Sequence, residues 1–162
     1  MNPVRLAYWL ALLVPAALLG GALVAQYVFG LPPCEMCWWQ RYPHIVALVL
    51  AALAWVTKRD ALVALAAIAI LVSGTLGAFH AGVEYDWWEG LTACTTTAAG
   101  GGDPLAAIMA APIVRCDVAH WTLGGVSLAG FNFLISTAAG LAILLFIRRR
   151  PRKGDFARKT GR

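Results

Sequence analysis

Leu31-Pro32-Pro33-Cys34-Glu35-Met36-Cys37-Trp38-Trp39-Gln40-Arg41 is the stretch on which the rest of the chain turns. It sets a Cys-x-x-Cys pair just ahead of an arginine, between two long apolar runs. Two cysteines so spaced close a reversible disulfide or supply half of a metal site. Arg41 is the sole Lys or Arg between Arg5 and Lys58. Trp38 and Trp39 combine an apolar body with one polar donor, the residue type that settles at a membrane–water interface. The pair is therefore expected at a bilayer surface, beside a cation able to stabilise a thiolate or an anionic ligand.

The flanking runs fix the class. The 162 residues are 60% hydrophobic and 13% charged, with mean hydropathy +0.72. That composition excludes a soluble domain and predicts an all-α membrane protein, a four-helix transmembrane bundle forming a single integral membrane domain over residues 1–162. Spans are expected over 6–29, 42–57, 61–79 and 123–147. The first is too long for the apolar core of a signal peptide and is read as a retained helix. Pro15 is expected to kink it, and Gly20-Gly21 to offer a small face for helix packing. The second is short unless it draws Trp38, Trp39 and Arg41 into the interface, with Arg41 snorkelling. Pro43 leaves two arrangements open: the cysteine pair lies on a separate turn, or the helix bends at Pro43. The third carries Ser73, Gly74, Gly77 and Ala78 as small packing positions and is expected to end at His80.

The net charge of +5 is not a nucleic-acid signature once placed, because eight of the thirteen basic residues follow Ile147. Arg5, Lys58, Arg59 and this tail, 148–162, fall on one side of the expected bundle, which makes that side cytoplasmic and puts both termini there. Loops 30–41 and 80–122 then face outward, and with them all four cysteines, Cys34, Cys37, Cys94 and Cys116. Disulfides persist in an oxidising compartment, so this sidedness favours thiol redox chemistry. The second loop runs from an aromatic–acidic segment, His80 to Trp88, into a polar glycine-rich tether, 94–102. Asp103-Pro104 then caps a short apolar helix over 105–111, expected to lie in the membrane plane. Arg115-Cys116-Asp117 and Trp121 lead into the last span.

Four spans, an outward Pro33-Cys34-x-x-Cys37-x-x-x-Arg41, a second outward cysteine pair, Arg115-Cys116-Asp117 and Leu128-Ala129-Gly130-Phe131-Asn132 together resemble the disulfide bond formation protein B (DsbB) family over nearly the whole chain. The resemblance implies a protein-disulfide:quinone oxidoreductase in the bacterial inner membrane. Such an enzyme reoxidises a DsbA-like periplasmic thiol oxidase and passes two electrons to membrane quinone, ubiquinone or menaquinone. That route keeps the bacterial periplasm oxidising. Carried over by position, Cys94 takes the attack of the partner's thiolate and Cys116 passes the electrons on through a transient Cys116–Cys34 bridge. Cys37 is then the thiolate facing quinone, with Arg41 beside it. His80, in a His-x-Gly-Val-Glu segment similar to the family's pattern near the quinone, is a second candidate contact.

Blander readings stand beside these. The cysteines can form two structural disulfides. A zinc site on all four suits the flexible 94–102 tether poorly, and no metal is expected. Arg41 can be a snorkelling anchor, and His80 a satisfied interfacial histidine. His44 and His120 read as structural, and Trp87, Trp88 and Trp121 as belt residues. A paralogue dedicated to one specialised thiol partner, and a non-catalytic protein with structural or metal-binding cysteines, are the rival functions. The resting pairing stays open between Cys34–Cys37 with Cys94–Cys116, and Cys34–Cys116.

Overall fold

A computed structural model describes residues 2–91 and 114–149. Four long helices carry it: α1 (Pro3–Tyr27), α2 (Glu35–Thr57), α3 (Asp60–Glu84) and α4 (Leu128–Arg148). Among the described residues three of these, α1, α3 and α4, are long and apolar enough to cross a membrane. The fourth, α2, is as long, but Glu35, Gln40, Arg41 and His44 crowd its first half. The chain is thus a helical membrane protein.

Each helix starts on a local signal. Asn2 accepts the Val4 N–H ahead of Pro3, so a side chain satisfies one terminal donor and proline removes another. Cys34 caps α2, its sulfur taking the Cys37 N–H at 3.3 Å. Ser127 caps α4 through the Gly130 N–H. Ahead of α4 lies a hairpin, β1 (Thr122–Leu123) and β2 (Val126–Ser127), with Thr122 opposite Ser127 and Leu123 opposite Val126. Gly124 and Gly125 turn it at φ +60° and +81°, a two-residue turn that needs positive φ at both positions.

Several boundaries differ from the sequence expectation. The second helix begins at Glu35, not Tyr42, and runs unbroken through Pro43. So the cysteine pair is its first turn rather than a separate one, and the Gln40 carbonyl near the proline takes the Ser73 hydroxyl at 2.8 Å. The third helix does not stop at His80 but continues one turn to Glu84, because His80 is buried among partners instead of reaching an interface. The hairpin occupies 122–127, so the last helix starts at Leu128 rather than Leu123. The helix expected over 105–111, the 94–102 tether with Cys94, and the tail from 150 onward lie outside the described residues.

α3 packs along both α2 and α4, and α1 closes the bundle against α2 and α4. One half of the core is made of small residues, Ala7, Ala11, Ala47, Ala51, Ala54, Ala66 and Ala67, around Ile70 and Ile143. Small side chains let helices approach closely, which is how helices associate where lipid offers no hydrophobic drive. At Gly77 an added Cβ would stand 2.9 Å from the Ala129 carbonyl oxygen, and at Gly74 3.1 Å from Ser136. The α3–α4 crossing therefore does use these small residues. Gly20 and Gly21 do not share that role: nothing among the described residues lies within 4 Å of a Cβ built at either. The outward faces show Leu13, Val49, Val56, Leu65, Ile68, Leu134 and Leu141. The other half of the bundle interior is polar.

Candidate functional site

The polar half is assembled from side chains one or two turns apart on each helix. Gln40 and His44 share a face of α2, Ser73 and His80 face them from α3, and Asn132 and Ser136 from α4; all are buried. Asn132 Nδ2 donates to Gln40 Oε1 at 2.8 Å and to the Ser73 carbonyl at 3.1 Å. Asn132 Oδ1 accepts the Ser136 hydroxyl at 2.8 Å. Because Ser73 Oγ spends its proton on the Gln40 carbonyl, both Ser73 Oγ and Asn132 Oδ1 face His44 Nε2 as acceptors, each at 2.9 Å. His44 therefore carries its proton on Nε2, and Nδ1 is left buried without a partner among the described residues. Polar groups inside a membrane bundle are costly unless paired, and five of these six pair with one another across three helices, with Gln40 also reaching His80.

Gln40 links this network to the cysteines. Its amide nitrogen donates to the Met36 carbonyl and lies 2.7 Å from His80 Nδ1. His80 Nε2, on the far side of the ring, is 3.6 Å from Cys34 Sγ and 3.7 Å from Glu84 Oε1. The Cys34 and Cys37 sulfurs are 3.0 Å apart as unbonded thiols, so a disulfide of about 2.05 Å closes by an approach of about 1 Å. Two thiols this close in a buried site do not both ionise. The hydrogen bond to Cys37 and burial push the Cys34 thiol well above the ordinary thiol range; the backbone N–H of Cys37 pulls the other way and is outweighed.

The pair faces two ways. Cys34 shares a buried cluster with Met36, Val83 and Cys116. Cys37 lines a cavity of about 260 Å³ between the helices, and Cys34 does not. Ala17, Leu18, Ala25, Leu31 and Phe131 give the cavity apolar walls, while Arg41, Gln40, His44, His80, Glu84 and Asn132 add polar groups to its lining. Arg41 is 7% exposed and does not snorkel. Its guanidinium donates to Gln26 Oε1 at 2.6 Å and the Ala22 carbonyl at 3.3 Å on α1, and lies 4.9 Å from the Trp38 ring centroid. No carboxylate stands within ion-pair distance of it among the described residues.

Of the expected site residues the structure thus gathers Cys34, Cys37, Cys116, Arg41 and His80, while Cys94 lies outside the described residues. Arg115 and Asp117, flanking Cys116, form an exposed ion pair, and the guanidinium holds the Asp117 carboxyl down at about 2. Sequence reasoning missed Gln40 and Glu84 and read His44 as structural. The available signal was their polarity inside otherwise apolar helices, which in a membrane protein marks a bundle interior or a site. Trp121 also lines the cavity instead of serving only as a belt residue.

Residues 4–146 match the family model described as "Disulfide bond formation protein DsbB". The chain belongs to the DsbB family. A disulfide bond formation protein B from Polaromonas sp. (strain JS666 / ATCC BAA-500) is 32% identical over 151 residues, covering 85% of this chain and 86% of the relative. The namesake protein from Chromohalobacter salexigens is 30% identical over 169 residues, covering 91% of this chain and 95% of its own. That of Polaromonas naphthalenivorans is 30% identical over 151 residues, 85% and 87% of the two chains. No solved structure matches at a significant level. Membership of the DsbB family gives the chain a thiol oxidoreductase role in disulfide bond formation, at a membrane.

Proposed function

We propose that this protein reoxidises a DsbA-like periplasmic dithiol oxidase and delivers the two electrons to membrane quinone, from a four-span bundle in the bacterial inner membrane with both termini cytoplasmic. One observation carries the reading: the Cys34–Cys37 pair stands between Cys116 on one side and the Arg41-lined cavity on the other. The partner's thiolate attacks Cys94 of a Cys94–Cys116 disulfide, forming the mixed disulfide and releasing Cys116 as thiolate. Resolution by the partner's second thiol oxidises the partner and leaves Cys94 and Cys116 reduced. Cys116 then attacks Cys34, breaking the Cys34–Cys37 bond and releasing Cys37 as thiolate. Cys94 closes back on Cys116, so that Cys34 and Cys37 hold the electron pair.

The cavity fits a quinone head, an apolar ring with two polar oxygens, since aliphatic and aromatic side chains line it together with hydrogen-bonding groups. Cys37, Arg41, His44 and His80 are the residues that would hold it. Bound quinone supplies the acceptor for two electrons and two protons. Arg41 stabilises the Cys37 thiolate and negative charge developing opposite it. His80, between Gln40 and the cysteines, is placed to hold a proton at Nε2. Purified protein, a reduced DsbA-like partner and a soluble quinone test the reading through quinone absorbance. Turnover requires Cys34, Cys37, Cys94 and Cys116; quinone reduction that persists in Cys37→Ser refutes it.

A further inference from the structure

We infer that the reduced form of this site is a binding site for one thiophilic divalent cation, of the Zn²⁺ and Cd²⁺ class, held by Cys34, Cys37, His80 and Glu84. The three nitrogen and sulfur donors already lie within 4.8 Å of one another. A tetrahedral ion with sulfur at about 2.3 Å and nitrogen at about 2.05 Å places S···N at about 3.6 Å and S···S at about 3.8 Å. Cys34 Sγ and His80 Nε2 are 3.6 Å apart, so that edge of the tetrahedron exists. The two sulfurs, at 3.0 Å, need to part by about 0.8 Å. The nitrogen–oxygen edge is about 3.3 Å in such a site, and His80 Nε2 to Glu84 Oε1 is 3.7 Å.

A second, independent observation points to a ligand. Glu84 is buried, its side chain 8% exposed, and among the described residues its Oε2 has no hydrogen-bond partner. A buried carboxylate oxygen left unpaired costs free energy that a cation beside it would recover. Gln40 stands against His80 Nδ1 at 2.7 Å; for Nε2 to ligate, the ring proton moves to Nδ1 and the Gln40 amide turns over to accept it, giving up its hydrogen bonds to the Met36 carbonyl and Asn132.

Binding moves no electrons. Two S–H bonds lose their protons to solvent and two metal–sulfur bonds form, so affinity rises with pH. The disulfide form has no thiolate to offer and does not bind. The redox selectivity rests on the proposed cycling of the Cys34–Cys37 pair, whereas the donor set itself does not. A bound ion holds both thiolates and stops electron exit, a brake on the reduced enzyme.

The test is Co²⁺ added to the reduced full-length protein in detergent, with no quinone present, following the visible bands of tetrahedral thiolate coordination. One equivalent should bind, be displaced by Zn²⁺, and be lost on oxidation of the thiols and in Cys37→Ser. Binding should persist in the Cys94→Ser/Cys116→Ser double variant. His80→Ala and Glu84→Gln should each weaken it by more than the roughly ten- to hundredfold that loss of an outer contact costs. Unchanged bands in Cys37→Ser or His80→Ala, or their loss in the double variant, overturn the site. Quinone turnover of metal-free protein is measured in parallel. Cobalt binding without turnover would refute the relay and leave the site standing, and turnover without cobalt binding would do the reverse.

Discussion

Arg41→Ala separates the two halves of the proposed relay. The guanidinium is buried, tied to α1 by Gln26 Oε1 at 2.6 Å and the Ala22 carbonyl at 3.3 Å, and shares a cavity wall with Cys37. No carboxylate neutralises it among the described residues, so its charge is available to an anionic partner. A charge-assisted contact in such a place contributes about 1.5–3 kcal/mol, or roughly ten- to a hundredfold in rate or affinity. The variant should slow quinone reduction, or raise the quinone concentration it needs, by that factor. Exchange between the partner and Cys94–Cys116 should stay near wild type. Arg41→Lys should recover only part, since an ammonium cannot reproduce the two-nitrogen fork that meets both Gln26 and Ala22. The assay follows single-turnover partner oxidation and quinone absorbance separately in purified protein. Arg41→Ala that reduces quinone at the wild-type rate and affinity would show that Arg41 serves only to tie α2 to α1.

A partner lacking its second thiol should accumulate a mixed disulfide with Cys94, read by non-reducing electrophoresis and peptide mapping; an adduct at Cys34 or Cys37 would reassign the docking cysteine. Asn132→Ala should cost about 1–3 kcal/mol, because Gln40 Oε1, His44 and Ser136 lose a shared partner, and should lower the thermal midpoint in detergent. Gly77→Ala should cost about 1–3 kcal/mol as well, its Cβ meeting the Ala129 carbonyl at 2.9 Å and Asn132 Nδ2 at 3.0 Å; unchanged thermal stability would mean that α3 and α4 have slack at their crossing. A membrane-impermeant thiol reagent should label reduced Cys94 in intact spheroplasts, and labelling only after permeabilisation would invert the proposed orientation.

What the sequence determined by itself is what depends on local order. Apolar runs long enough to cross a bilayer gave a helical membrane protein, and the Cys34–Cys37 spacing ahead of Arg41 marked the site. Asn2-Pro3 and Gly124-Gly125 show the same economy, each setting a cap or a turn through its own backbone preference. What the tertiary structure alone decided is which distant groups meet. His80 reads as the end of a span, yet it lies 3.6 Å from Cys34 and 2.7 Å from Gln40, because α3 continues another turn and packs along α2. His44 reads as a core histidine until Ser73 and Asn132, from two other helices, fix its proton on Nε2. The two sulfurs, equivalent in a Cys-x-x-Cys pattern, part company only when Cys116 packs on Cys34 and a cavity opens beside Cys37. Periodicity and composition act over one or two helical turns, whereas these contacts join residues 29 to 92 positions apart, and only helix packing brings them together.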